Sequence, residues 1–337
     1  MKAMVIRKPG GLDHIEQAKR ADPGQPGPGQ IRVALHASSL NFHDLLVANG
    51  GIPTEDGRIL MADGAGLVEA VGQGVTEFAP GDSVVSCFFP GWLAGPPTPE
   101  VCSFQSTPGD GVDGYACEYV VADALHFTHA PAGWSHAESA TITTSGLTAW
   151  RALVVDGQLR AGATVLLLGT GGVSIAALQI AKAMGARVII TSSSDEKLQR
   201  AKDLGADHTI NYRQQADWYK AVLDLTDGHG VDHVIEVGGP GTLPQSIRAV
   251  AAGGHIALIG VLTGAEGSIP TRILMSKHAR LQGLIVGNRL QQQQYVRALE
   301  ENNLRPIIDQ SFALGDLAQA FEYQQSAQHF GKIVLQW

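Results

Sequence analysis

The chain is short of cysteine: its 337 residues include only three, Cys87, Cys102 and Cys117. The number is odd and none stands close to another, so no disulfide framework is expected and a reducing compartment fits. Positive charge is also scarce. Lys and Arg total 24 against 32 Asp and Glu, a formal net charge of −8. No basic block offsets it, which argues against a nucleic-acid or anionic-membrane surface. No apolar run is long and uninterrupted enough to span a bilayer. The opening Met1-Lys2-Ala3-Met4-Val5-Ile6-Arg7 is too short and too charged for a secretory signal. These absences lead to the expectation of a cytoplasmic protein with neither nucleic acid nor membrane as partner. Hydrophobic residues make up 44% and charged residues 17%, an ordinary balance for a compact protein, and the length suggests two domains, each with its own core.

What the sequence does carry is an apolar run, Val165–Leu168, leading into Gly169-Thr170-Gly171-Gly172-Val173-Ser174. It reads as a buried strand, a tight turn and a helix start. Gly169 permits the turn and Gly171 lets the backbone approach a pyrophosphate, which the helix N-terminus at Gly172 and Val173 attracts with free N–H groups and partial positive charge. Ser174 replaces the last glycine of the pattern and is small enough to keep the helix close to the strand. Strand–helix alternation continues downstream, the context a dinucleotide-binding turn requires.

The first third is β-rich and loop-rich. Ile31–Leu35, Gly66–Gly72, Gly81–Val85 and Tyr115–Val121 read as short strands, and Pro90–Gly114 as a long aperiodic loop of functional interest. The middle predicts six strands, Val165–Leu168, Arg187–Thr191, His208–Ile210, Asp232–Val237, His255–Ile259 and Leu281–Val286. The intervening helices are Ile175–Met184 and Glu196–Leu204, stopped by Gly185 and Gly205, then Ala216–Thr226 and Leu243–Ala252. Apolar strands with helical crossovers indicate a doubly wound, parallel Rossmann sheet buried on both faces. The tail predicts helices Gln292–Glu301 and Gly315–Gln325 and a strand Lys332–Leu335, with Gln291–Gln294 on a solvated face.

The order of parts resembles the medium-chain dehydrogenase/reductase superfamily over essentially the whole chain. The resemblance rests on Pro26–Ile31, Leu40-Asn41-Phe42-His43-Asp44, Asp63-Gly64-Ala65-Gly66, Gly81-Asp82, Gly146-Leu147-Thr148-Ala149, the glycine turn and Gly331-Lys332-Ile333-Val334. It looks closest to the subgroup labelled zinc-type alcohol dehydrogenase-like. It implies a GroES-like β-rich catalytic domain over 1–126, completed by 291–337, with the Rossmann domain at 127–290 inserted and the active site in the cleft. A homodimer and a small carbonyl-containing substrate are implied with it. By alignment of these motifs the places of the catalytic zinc ligands fall on Asn41, Ala62 and Thr144, none of them a good ligand. A structural-zinc lobe needs four cysteines, and Pro90–Gly114 holds only Cys102. No zinc is expected.

The ribose-binding acid expected after the second Rossmann strand is replaced by Ser192, followed by Ser193. Loss of the carboxylate removes repulsion against a 2′-phosphate, Lys197 supplies positive charge, and Tyr212 resembles a phosphate-contacting tyrosine of NADPH-dependent quinone reductases. Asp195, the counter-signal, is expected to cap the following helix. NADP(H) is therefore expected over NAD(H). Gly238, Gly260 and Val261 close strands where ligands dock; Val286 and Asn288 are expected to flank the nicotinamide. The resemblance places Thr148 by that ring and Lys332 by the phosphates. Without zinc, hydride transfer suits an activated C=C bond or a quinone, whose developing charge needs only hydrogen-bond donors. Asn41, His43, Thr144 and Tyr115 are the candidates, His43 as a general acid, and Phe88, Phe89, Trp92 and Trp150 are candidate pocket walls. An alcohol dehydrogenase or carbonyl reductase, and a non-catalytic nucleotide-binding protein, are the alternatives.

Overall fold

The structure is a computed structural model describing residues 1–337. The chain forms two compact units, Met1–Leu147 with Val286–Trp337, and Thr148–Ile285. The first opens with β1 (Lys2–Ile6), paired antiparallel between β2 (Ile15–Lys19) and β4 (Arg58–Ile59). The long β3 (Gln30–Ser39) alternates Ile31, Val33 and Leu35 into the core, as a strand with one buried face must. It pairs with β5 (Ala65–Val71), which pairs with β6 (Ser83–Ser86). Gly66 makes the β3–β5 approach possible, because a Cβ there would stand 1.9 Å from the Ala34 carbonyl oxygen. β7 (Tyr119–Asp123) also pairs with β3, and β8 (Phe127–His129) with β6. The strand expected from Tyr115 thus starts four residues later, at Tyr119.

The second unit holds β9 (Thr164–Leu168), β10 (Arg187–Ser192), β11 (His208–Asn211), β12 (Val231–Glu236), β13 (Val250–Leu258) and β14 (Arg280–Gly283). All pair in parallel, in the order β11-β10-β9-β12-β13-β14. This is the doubly wound sheet that the sequence predicts, with the order reversing between β9 and β12, where such sheets bind ligands. Val165, Leu166 and Leu167 are fully buried, which is why β9 reads as an unbroken apolar run. The helix predicted through Ala252 stops at Ala249, and β13 starts directly at Val250.

Near the start of β12 and within β13, His233 and His255 stand in register, both buried, with ring centroids 6.0 Å apart. Burial pushes both imidazoles down, His255 to about 4, and the Arg280 charge adds to this. The unfolded chain therefore binds protons that the folded chain refuses, so stability should fall as pH drops from about 6.5 towards 4. Urea midpoints at pH 7 and pH 5 should show a smaller loss for His255→Gln than for the wild type; equal losses would remove His255 as the cause.

The chain then returns to the first unit. β15 (Ile308–Ala313) pairs in parallel with β16 (Lys332–Gln336), and β16 pairs antiparallel with β3, completing a seven-stranded sheet. The expected boundaries at 126/127 and 290/291 move. Residues 127–147 join the first unit because β8 pairs with β6 and the helix His136–Ala140 packs with Ala37, Ala65 and Val334. Residues 286–290 join it because Arg289 donates to the Phe127 carbonyl at 2.9 Å and pairs with Glu77 at 2.6 Å. The polar run Gln291–Gln294 is not a solvated face. Gln292 is fully buried, its amide donating to the Ser86 carbonyl at 3.0 Å and the Thr128 hydroxyl at 2.8 Å. No helix is long and apolar enough to cross a membrane.

Candidate active site

The motif residues of the first unit converge on one buried polar network. The helix Phe42–Ala48 begins with a capping box, the Asn41 side chain receiving the Asp44 backbone N–H while the Asn41 N–H donates to Asp44 Oδ2 at 2.9 Å; Asp44 Oδ1 separately accepts from the Ala62 N–H at 2.9 Å. Asp63, fully buried, receives the hydroxyls of Ser39 (2.6 Å) and Thr144 (2.6 Å) and the amide of Asn41 (2.8 Å). Thr144 lies in a π-helical turn, Ile142–Gly146, a wide turn common at functional sites. Lys332 enters from β16, its ammonium donating to Asn41 Oδ1 at 2.7 Å and the Leu40 carbonyl at 2.5 Å. Burial pushes the Asp63 carboxyl up to about 6, Asp44 adds to the rise, and Lys332 opposes it. Burial pushes the Lys332 ammonium down, against the pull of Asp63 and Asp44. Two carboxylates and one ammonium thus sit together out of water, tied by an amide and hydroxyls.

The network occupies two of the four predicted catalytic groups. Asn41 donates its amide to Ser39, Asp44 and Asp63 and accepts from Lys332, so it has nothing left for a substrate oxygen. The Thr144 proton is committed to Asp63. Tyr115 is a core residue: it is buried, packs on Phe127 with centroids 5.8 Å apart, and its ring fills the space a Cβ on Gly64 would need. His43 differs. As the second residue of the same helix, it sits edge-on to Phe88 (5.2 Å) and stacked on Phe104 (5.6 Å). Its Nε2 lies 3.2 Å from Asp110 Oδ2, and its Nδ1 is shielded from solvent without a hydrogen-bond partner. Phe88, Phe89 and Trp92 are buried beside these rings rather than exposed as walls. The segment 90–114 supplies Phe104 and Asp110 to this cluster; nothing in its composition singled out Asp110.

In the second unit the glycine turn has the geometry its sequence predicts. Gly169 has φ +72°, the left-handed region glycine favours. Gly171 is the N-cap of the twelve-residue helix Gly172–Ala183 and adds no side-chain cap. The helix N–H groups at Gly172 and Val173 therefore remain for an anion. Ser174 does more than stay small: its hydroxyl donates to the Leu168 carbonyl at 2.7 Å, fastening helix to strand. Ser192 ends β10, with Ser193 after it and Tyr212 fastened alongside by its N–H to the Ser192 carbonyl at 3.1 Å. Lys197 lies in the first turn of the helix Asp195–Asp203. That helix is capped by Ser194, not Asp195, whose carboxylate accepts from Asn211 at 2.6 Å and Gln214 at 3.1 Å.

Glu236, missed in the sequence, organises the loop after β12. Its Oε1 accepts the N–H groups of Gly238 (2.8 Å) and Gly239 (3.0 Å) and the Thr242 hydroxyl (2.6 Å). The signal was there: an acid ending an apolar strand before two glycines. A Cβ on Gly260 would stand 2.1 Å from the Val237 carbonyl oxygen, holding the next strand end close, with Val261 exposed beyond it. Thr148 is buried. Three residues expected around the nicotinamide nucleotide are differently employed. Lys332 is consumed in the buried network. Asn288 caps the helix Arg289–Glu301 and donates to the Gly95 carbonyl at 3.2 Å. Val286 belongs to the first unit, in a left-handed turn at φ +48°.

Comparison with known proteins accords with this architecture. Residues 27–132 match the alcohol dehydrogenase GroES-like domain and residues 172–301 the zinc-binding dehydrogenase domain. A zinc-type alcohol dehydrogenase-like protein of Schizosaccharomyces pombe is 41% identical over 334 residues, covering 96% of this chain and 96% of that protein. The crystal structure of an NAD-dependent alcohol dehydrogenase is 37% identical with TM-score 0.91, and covers 100% of both chains. That of a quinone oxidoreductase from Pseudomonas syringae pv. tomato is 29% identical with TM-score 0.83, covering 100% of this chain and 99% of that one. The chain therefore belongs to the medium-chain dehydrogenase/reductase superfamily, among the zinc-type alcohol dehydrogenase-like proteins. It is an oxidoreductase.

Proposed function

We propose that this oxidoreductase works without zinc, uses NADP(H), and reduces an activated C=C bond or a quinone. The observation that carries the reading is the contact of Lys332 Nζ with Asn41 Oδ1 at 2.7 Å. Of the three places where relatives would hold a catalytic metal, one presents an amide already bonded to an ammonium, one is Ala62 with no donor atom, and one is a hydroxyl committed to Asp63. A divalent cation does not fit a donor set without thiolate or imidazole and with an ammonium against it. Alcohol oxidation by Lewis-acid activation of the hydroxyl is therefore not the reaction this site is built for.

The nucleotide turn does fit its group. The Gly172 and Val173 N–H groups would hold the pyrophosphate, and Ser192, Ser193, Lys197 and Tyr212 the adenosine ribose with its 2′-phosphate. Gly238, whose N–H donates to the Glu236 carboxylate, and Gly260, whose N–H donates to the Glu236 carbonyl at 3.3 Å, would shape the strand ends against the dinucleotide without a side chain in the way. When bound, a nicotinamide supplies the hydride; the protein's part is to hold the acceptor, exclude water and provide for the developing negative charge. An enone or quinone disperses that charge over its conjugated system, which suits a site whose donors are side chains alone.

Product analysis after incubation with NADPH and crotonaldehyde tests the reading. Saturated aldehyde is expected. Allylic alcohol would instead support carbonyl reduction, the reading that the alcohol dehydrogenase names of the relatives favour, and absence of turnover on enones, quinones and aldehydes would leave a nucleotide-binding protein.

A further inference from the structure

Addition of a hydride to a C=C or C=O bond leaves the product one proton short, and the site offers few ways to supply it. Asn41 is saturated, the Thr144 proton belongs to Asp63, and Tyr115 is in the core, as described above. His43 alone among the motif side chains keeps a ring nitrogen without a partner, Nδ1. Its other nitrogen, Nε2, faces Asp110 at 3.2 Å, and the ring is fixed between Phe88 and Phe104. Asp110 is itself held, its backbone carbonyl accepting the Thr54 hydroxyl at 2.6 Å. A carboxylate, an imidazole gripped at one nitrogen and a second nitrogen left over is the arrangement by which a histidine is oriented for proton transfer. Asp110 and Phe104 also line a cavity of about 560 Å³, together with Ile52, Thr54, Arg58 and Gln105. Asp110 therefore links this cavity to the His43 ring, two residues along the chain from Asn41.

We infer that His43 delivers the proton of the reduction and that Asp110 is its positioning residue, with the cavity as the route of reprotonation. The inference rests on the reductase reading above. His43 starts as the imidazolium, with Nε2–H held by Asp110. The hydride and its electron pair pass to the acceptor, which is reduced as the dinucleotide is oxidised. The Nδ1–H bond breaks and its proton joins the anionic carbon or oxygen. Neutral His43 then carries its single proton at Nε2, against Asp110, and regains the other from water. The cavity also carries Glu55 and Arg58, and Asp44, the residue after His43, belongs to the network with Asp63 and Lys332.

The test uses the full chain with NADPH and whichever of crotonaldehyde or benzoquinone it turns over. Asp110→Asn should lower kcat about 10-fold and His43→Ala about 100-fold, the lower range for a lost general acid, with KM and NADPH affinity little changed. Asp110→Glu should recover part of the loss, and added imidazole should restore the rate of His43→Ala. The double variant should be no slower than His43→Ala, since Asp110 acts only through the ring. His43→Gln serves if the alanine variant does not fold. Unchanged kcat in Asp110→Asn, no rescue by imidazole, or losses that multiply in the double variant would each overturn the proposal. Nitrogen NMR of the His43 ring needs no turnover: the neutral wild-type ring should carry its proton on Nε2, and a proton on Nδ1 overturns the pairing. A chain that turns over no acceptor, with that tautomer intact, instead overturns the reductase reading on which the relay rests.

Discussion

Replacing Lys332 with methionine should destabilise the protein by about 3–5 kcal/mol, the range for breaking a buried ion pair from one side. The ammonium is the positive charge that faces the buried carboxylates of Asp63 and Asp44. Methionine keeps the length of the side chain but leaves two negative charges facing one another out of water. The loss should depend on pH in a stated direction. Asp63 already binds its proton more tightly in the folded chain than in the unfolded one, its carboxyl raised from 3.8 to about 6. Without Lys332 it rises further. A raised carboxyl favours the folded state below its unfolded value and loses that contribution as pH climbs through the folded value. The deficit of Lys332→Met should therefore be largest near pH 8 and shrink towards pH 5. Adding Asp63→Asn should recover part of it at pH 8. Denaturant midpoints for the wild type and both variants at the two pH values decide the matter, and a Lys332→Met midpoint equal to that of the wild type would show that the ammonium does not hold the network together.

Ser192→Asp should weaken NADPH binding about 100-fold while changing NADH binding little or improving it. Ser192 ends β10 with Tyr212 fastened beside it, so a carboxylate there would accept from ribose hydroxyls but repel a 2′-phosphate. Unit charges about 4 Å apart at an effective dielectric of 20 repel by about 4 kcal/mol; relaxation and salt reduce this to about 2.7 kcal/mol, the equivalent of 100-fold. Fluorescence titration of both reduced dinucleotides measures the difference. Equal weakening of the two would remove the cofactor argument, and tighter wild-type binding of NADH would align the chain with its NAD-dependent neighbour.

How far the sequence could be read depended on how local the controlling physics was. β9 was legible because burial on both faces requires an apolar run, and the glycine turn because Gly169 must reach φ +72°. The helix ends at Gly185 and Gly205 were legible for the same reason, at φ +76° and +101°. Gln292 was not, since its polar neighbours suggest a solvated face and only Ser86 and Thr128, brought in by β6 and β8, bury it. Tyr115 resembled a site residue because nothing in its own segment shows that Gly64 and Phe127 enclose it. Lys332 was assigned to the phosphates by resemblance, whereas its contact with Asn41 spans 291 positions of sequence. The His43–Asp110 pair, 67 positions apart, had no signature in either segment.

That separation has a consequence for how the molecule comes into being. Thr148–Ile285 is one uninterrupted stretch whose six strands need no residue outside it, so on the ribosome it has everything it requires before the final segment, Val286–Trp337, emerges. The other unit does not. β3 finds its partner β16 only through pairs such as Ser39 with Val334, and Asn41 waits equally long for Lys332. Until those last residues are made, Asp63 and Asp44 must stay hydrated, and the segment around them must remain unsealed while the nucleotide-binding sheet is already closed. The order of synthesis thus completes the nucleotide-binding unit first, and leaves the other, begun earlier, to be locked by the final strand.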